Sequence, residues 1–252
     1  IAHFHNVIIG GVAFGAFAGY TYWFPKAFGF RLHEGWGKAA FWCWFFGFYL
    51  AFVPLYVTGL MGMTRRLQHY DVPEWHPWLL VAAFGAAVIL AGILCQVAQL
   101  VVSIRHREEL RDVTGDPWMG RSLEWSTASP PPAFNYAVLP VVEDRDDYWR
   151  TQRLAERGAG PKVEPAYAAI EMPRNSATGF ICAFFATFGG FGMIWQIWWL
   201  VIVAIVGAFA TFVIFAWRDR TEYEIPADEV ARIDRANRRA RGEALATAGA
   251  LS

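Results

Sequence analysis

The sequence predicts an all-α membrane protein with about five transmembrane helices: three helices, a long polar connection, a C-terminal helical hairpin and a polar tail. Three observations predict it. Only 17% of the 252 residues are charged and 56% are hydrophobic, whereas a soluble domain carries about 25% charged residues. The charges lie in a few blocks. The apolar blocks between them reach the roughly 20 residues that a helix needs to cross a bilayer. Inside hydrocarbon a backbone must satisfy its own hydrogen bonds, so these blocks are expected as helices. Basic and acidic residues number 22 each, so net charge names no nucleic-acid partner.

The first segment runs from about Ile1 to Phe24 and is expected to end at Pro25. It opens without the basic start, short apolar run and small-residue cleavage site of a signal peptide, as expected of a stretch cut from a larger protein. Gly11, Gly15 and Gly19 fall on one helix face. Such a stripe admits another helix or a flat ligand, and ordinary helix packing is the plainer account of it. The second segment runs from about Ala39 to Met63, is rich in Trp and Phe, and contains Pro54, which membrane helices tolerate as a kink. The third runs from about Pro77 to Ile104, with Gln96 and Gln99 as interior polar residues that could bridge helices or line a cavity and are expected as satisfied packing polars. These three form a first region, 1–104. Cys43, Cys95 and Cys182 lie in apolar runs and imply neither a disulfide nor a metal framework.

Residues 105–176 are a polar connection with Gly115-Asp116-Pro117-Trp118, Glu124-Trp125 and Pro130-Pro131-Pro132. Its Gly, Pro and charge clusters argue against a core of its own. About seventy irregular residues are unusual unless they lie on a partner surface, so an extended, bound segment with Trp118 and Trp125 buried is expected. Residues 177–217 are too long for one ordinary helix, and Gly189-Gly190 with Gly192 mark an expected turn between two helices. Trp195, Trp198 and Trp199 are expected at a membrane interface. The tail, 218–252, is charged, with a polar helix from about Pro226 to Leu245. Its arginines suit an anionic membrane surface, an acidic partner or plain solvent. By the positive-inside rule, loops 25–38 and 105–176 and the tail face the cytoplasm, and loop 64–76 the periplasm, in a bacterial inner membrane.

The candidate chemistry sits at the start, Ile1-Ala2-His3-Phe4-His5-Asn6. On a strand, His3 and His5 would share a face and one metal. On a helix they stand about 200° apart and serve two separate cofactors. The apolar run behind them demands a helix. Ionisable side chains at a membrane helix are functional candidates, with a pair of interfacial histidines as the plainer reading. Arg65 and Arg66 belong to the same outward side, and guanidinium forks fit carboxylates. Helical histidines as axial ligands, with arginines at propionates, make a coherent pair of haem sites.

His3-Phe4-His5-Asn6 and Pro54 with Gly62-Met63-Thr64-Arg65-Arg66 resemble the end of subunit I of the haem–copper terminal oxidases. Thr114-Gly115-Asp116-Pro117-Trp118, Leu123-Glu124-Trp125, Ser129-Pro130-Pro131-Pro132 and Met172-Pro173-Arg174-Asn175-Ser176 look like the bo-type ubiquinol oxidases, as does the extra C-terminal hairpin. The resemblance covers the whole chain and implies that the first three segments are the last three core helices. It implies His3 as the ligand of a high-spin haem (o or a type), where oxygen is reduced. It implies His5 as an axial ligand of a low-spin haem (b or a type), Phe4 on the route between them, and Arg65 and Arg66 at the propionates. The implied enzyme oxidises ubiquinol, reduces oxygen to water and pumps protons. The implied partners are the remainder of subunit I, subunits II, III and IV, ubiquinol and membrane lipid. Ligands for the copper, the second axial ligand of the low-spin haem, the proton-pathway residues and the quinol contacts have no counterpart in this sequence, which alone is expected to be inactive. The same portion of a cytochrome c oxidase, or a haem-free structural or transport bundle, are the alternative readings.

Overall fold

A computed structural model describes residues 1–156 and 165–249. Residues 157–164 of the expected connection and 250–252 of the expected tail lie outside the described residues. Helix α1 (Ala2–Val7), a π-helical stretch (Ile8–Ala13) and helix α2 (Phe14–Phe28) follow one another without a break. Then come α3 (Glu34–Leu60), α4 (His76–Arg105), α5 (Asp147–Glu156) and strand β1 (Ile170–Pro173). Helices α6 (Thr178–Ile194) and α7 (Trp198–Ala216), strand β2 (Glu222–Ile225) and helix α8 (Ala227–Gly249) complete the order.

The fold is that of an all-α membrane protein. Ala2–Phe28, Glu34–Leu60, Pro73–Arg105 and Trp198–Ala216 are long and apolar enough to cross a bilayer. The fifth apolar helix, α6, has 17 residues, about 26 Å at the α-helical rise and slightly short of the hydrocarbon core. Phe84, Leu94 and Leu100 on α4 and Trp198, Ile202 and Phe209 on α7 are exposed. A soluble fold would bury such surface; here it suits lipid or neighbouring helices. β1 and β2 pair antiparallel, with Ile170 opposite Ile225 and Pro173 opposite Glu222.

Several sequence-based boundaries move. Helix α2 runs through Pro25 to Phe28 and stops at Gly29, whose φ of 81° reverses the chain. A proline removes only one helical hydrogen bond, and so near the helix end that loss is tolerated. The loop expected at 25–38 therefore shrinks to 29–33. On its far side the His33 ring accepts the Trp36 N–H at 3.4 Å, and Glu34 pairs with Lys38 at 2.7 Å across the first turn of α3. The hairpin turn is not at Gly189–Gly192. It lies at Trp195–Ile197, where Gln196 has φ 56° and the Ile197 N–H bonds the Gly192 carbonyl at 2.8 Å. A Cβ on Gly192 would lie 3.2 Å from the Ile197 carbonyl oxygen and 3.1 Å from Val201, and one on Gly189 would lie 3.1 Å from Ala204. These glycines pack the two helices together. Trp195, Trp198 and Trp199 are all exposed beside the turn.

The described residues form two compact units. One holds 1–136, 140–156 and 236–249; the other holds 137–139 and 165–235. In the first, α3 and α4 approach until backbone meets backbone. A Cβ on Gly85 would lie 2.2 Å from the Ala51 nitrogen, and one on Gly47 would lie 2.8 Å from the Ile89 nitrogen. Polar side chains bridge the same pair. Trp44 Nε1 donates to Gln96 at 3.0 Å, and Gln99 Nε2 donates to the His33 carbonyl at 3.2 Å. Both glutamines are thus the packing residues that their positions predict.

The connection is not wholly irregular: it contains a 3-10 turn (Leu123–Ser126), α5 and β1. Residues 110–128 are seated on the end of α2. The Lys26 ammonium donates to the carbonyls of Gly115 (2.8 Å), Thr127 (2.9 Å) and Ala128 (3.3 Å) and lies 5.2 Å from the Trp125 ring centroid. Trp125 is fully buried, as expected, and its Nε1 donates to the Tyr22 hydroxyl at 2.8 Å. Trp118, expected to be buried, is 40% exposed, and its Nε1 donates to the Tyr22 carbonyl at 2.9 Å. In the tail, Arg232 pairs with Glu229, and Arg241 donates to the Tyr148 hydroxyl and, at 3.4 Å, to the Ser126 carbonyl. Part of the basic tail is therefore spent within the chain.

Gly85→Ala is expected to destabilise the chain by roughly 1–3 kcal/mol through overpacking. Gly179→Ala, where no atom lies within 4 Å, should have little effect; denaturant unfolding of the two variants in detergent compares them. Lys26→Met removes the charged donor from three carbonyls at about 1.5–3 kcal/mol per charge-assisted bond. Hydrogen exchange should speed up across 112–128 while α3 and α4 stay protected.

Candidate functional site

The start of the chain is helical, so the ambiguity between strand and helix resolves as the apolar context requires. The His5 N–H bonds the Ile1 carbonyl at 3.1 Å and closes the first turn. His3 and His5 therefore diverge by about 200° around the axis. His3 is exposed. His5 is half-buried, stacked on Phe52 of α3 with ring centroids 4.8 Å apart and planes 13° apart. Phe4 is exposed and meets the His5 ring edge-on at 5.3 Å.

The His5 ring carries a further constraint. Its Nδ1 lies 2.9 Å from the Ile1 carbonyl oxygen. A carbonyl can only accept, so Nδ1 is the donor, and in a neutral imidazole that leaves the lone pair on Nε2. That is the tautomer of a metal-ligating imidazole whose other nitrogen is tied to the backbone. The donor set thus fits an axial haem ligand. The Phe52 stack and the Ile1 carbonyl were not legible in the sequence. Neither belongs to a motif, and the stack depends on how α3 crosses α1.

Immediately after the histidines the backbone widens into the π-helical stretch, Ile8–Ala13. Such turns are frequent at functional sites. Among the described residues, nothing lies within 4 Å of a Cβ on Gly11 or Gly15, and Gly19 faces only its own Trp23. This rod packs instead through Phe14 and Phe17 against Trp44 and Phe48, at 5.0–6.4 Å between centroids. The small-residue stripe is left open for a neighbour.

Arg65 and Arg66 follow the end of α3, where the Met63 N–H bonds the Thr58 carbonyl at 2.9 Å. Arg66 has φ 67°. Both side chains are exposed, and among the described residues neither forms an ion pair. Leu60 lies about 12 Å of helix rise beyond Phe52, so the arginine loop and the His5 turn occupy the same end of the first unit. Among the described residues, no three His, Cys, Asp or Glu side chains are grouped as a metal site.

The family described as Cytochrome C and Quinol oxidase polypeptide I matches residues 1–88, the stretch that carries both histidines and both arginines. The chain is 64% identical, over its whole length, to the probable cytochrome c oxidase subunit 1 of Bradyrhizobium diazoefficiens. It is 52% identical to the ubiquinol oxidase subunit 1 of Acetobacter aceti, over 93% of the chain. The chain belongs to the haem–copper oxidase subunit I family. A cytochrome bo(3) ubiquinol oxidase subunit 1 of Buchnera aphidicola is 56% identical over 74% of the chain. The chain spans 38%, 35% and 28% of these three relatives. Subunit I of a haem–copper oxidase is a multi-pass membrane protein that takes haem and copper and associates with other oxidase subunits.

Proposed function

We propose that this chain is the C-terminal portion of the catalytic subunit of a proton-pumping terminal oxidase that oxidises ubiquinol and reduces oxygen to water. The observation that carries this reading is the His3–Phe4–His5 turn, with its divergent imidazoles and the His5 tautomer set by the Ile1 carbonyl. His5 would ligate the low-spin haem (b or a type) and His3 the high-spin haem (o or a type). Bound haem iron supplies electron transfer at the first and oxygen reduction at the second. The chain's own residues orient and neutralise. The Ile1 carbonyl and the Phe52 ring fix the His5 plane, and Phe4 lies between the two ligands. Arg65 and Arg66, which form no ion pair among the described residues, would offer their guanidiniums to propionates. The copper ligands come from the remainder of subunit I.

In this reading residues 1–104 are the haem-contacting helices, 105–176 a cytoplasmic connection, 177–217 the membrane hairpin and 218–252 a cytoplasmic tail. Loop 29–33, between α2 and α3, faces the cytoplasm and loop 64–76 the periplasm of a bacterial inner membrane. The assembled enzyme would include subunits II, III and IV. Ubiquinol as donor is favoured by the Acetobacter ubiquinol oxidase relative, which matches 93% of the chain. Cytochrome c is the second reading, because the 64% identical relative is named a probable cytochrome c oxidase. Oxygen uptake by the whole enzyme, offered ubiquinol or reduced cytochrome c, separates them; uptake with cytochrome c alone would overturn the quinol reading.

In the complete subunit, His5→Ala should abolish the low-spin haem spectrum and leave a high-spin, carbon-monoxide-reactive haem. His3→Ala should do the reverse. Both signals surviving in both variants would remove the ligand assignment. Arg65→Gln should lower the low-spin haem potential by on the order of 60 mV, about 1.4 kcal/mol for one electron, because a lost cation favours ferric iron. An unchanged redox titration would count against propionate contact.

A further inference from the structure

The second unit holds a basic pocket that plays no part in the haem reading. It has a volume of roughly 200 Å³ and is lined by Arg174, Ser176, Phe215, Arg218, Arg220 and Glu222, among others. These residues come from both ends of the hairpin. Arg174 and Ser176 precede α6, while Arg218 and Arg220 follow α7. The β1–β2 pair brings them together, with the Arg174 N–H bonded to the Thr221 carbonyl at 2.8 Å. Three arginines face one glutamate, so the pocket is cationic.

Among the described residues none of these arginines forms an ion pair. Arg174 Nε donates to the Glu222 backbone carbonyl at 3.1 Å, a neutral acceptor. Arg218 makes a 3.4 Å bond to the Ser176 hydroxyl and lies 5.9 Å from the Phe215 ring centroid. Among the described residues Arg220 forms no ion pair. Mutually repelling guanidiniums gathered around a cavity call for an anion with several acceptor oxygens.

The position selects the kind of anion. The pocket sits where the 19-residue apolar helix α7 ends. Trp217, 79% exposed, stands there as an interfacial anchor, and Phe180 on α6 is equally exposed. A bilayer places lipid phosphates at this level, and basic pockets beside membrane helices recognise such headgroups. We propose that Arg174, Arg218 and Arg220 form a binding site for the phosphate of an anionic phospholipid, whose acyl chains lie along the apolar surface of the α6–α7 hairpin.

The test uses the intact oxidase in detergent, delipidated and then titrated with phosphatidylglycerol while native mass spectrometry counts bound lipid. Arg220→Gln should weaken binding of one lipid about five- to tenfold, and Arg218→Gln/Arg220→Gln more strongly. Arg239→Gln on α8 should leave it unchanged, and haem spectra should match the parent in all variants. Phosphatidylcholine should bind at least tenfold more weakly, and inorganic phosphate should not compete at millimolar concentration. Equal binding of phosphatidylglycerol to the parent and the double variant overturns the site. Competition by inorganic phosphate at that concentration overturns the lipid assignment in favour of a free anion. The haem spectra are read separately, so failure here does not touch the ligand roles of His3 and His5.

Discussion

The closest constraint in the first unit is the backbone contact between Gly85 of α4 and Ala51 of α3. A methyl at Gly85 would stand 2.2 Å from the Ala51 nitrogen, so the two helices are as near as their main chains allow. Small residues at such crossings give membrane helices the packing that the hydrophobic effect cannot supply between them. The consequence reaches the candidate site in one residue. Phe52 follows Ala51, and its ring forms the flat wall on which His5 stacks. The orientation of the imidazole therefore depends on a glycine of a different helix, α4.

That dependence explains which parts of the site the sequence revealed. The histidine pair with its helical context, and the arginine pair just beyond the second apolar run, were readable, because residue type and apolar patterning suffice to place them. The ring beneath His5 was not. Phe52 is one of several aromatic residues on α3, including Phe45, Phe46, Phe48 and Tyr49, and no local pattern distinguishes it. Only the crossing of α1 and α3 makes it the His5 partner. The π-helical stretch was equally hidden: Gly10-Gly11 permits a wider turn without announcing one.

The misplaced hairpin turn has the same physical origin. In a soluble chain, Gly189-Gly190 and Gly192 would read as punctuation. In a membrane hairpin, glycine more usefully brings helices together, and Gly192 lies against Ile197 and Val201 for that reason. The turn falls at Gln196, the strongly polar residue of the 177–217 run, which takes φ 56°. A polar side chain is costly in hydrocarbon, and that cost marks the turn better than the glycines do. Pro25 repeats the lesson at the end of α2, where a lost hydrogen bond matters less than the continued burial of Phe24.

Lys26 shows how a polar segment without a core of its own can still be fixed in place. A lysine near a helix end ordinarily extends to water. Here its ammonium is enclosed by the carbonyls of Gly115, Thr127 and Ala128. Gly115 has φ 72°, and a Cβ there would lie 2.3 Å from the Thr127 carbonyl oxygen. Glycine is thus required for the two strands of the loop to converge on one cation. Trp125 closes over the same charge, with its Nε1 held by Tyr22. The enclosure satisfies backbone acceptors that a compact loop would otherwise bury unpaired. A single cation on α2 therefore does for the connection what a hydrophobic core does for a domain. It also accounts for the mixture of glycine, proline and tryptophan in a stretch that composition alone marks as irregular.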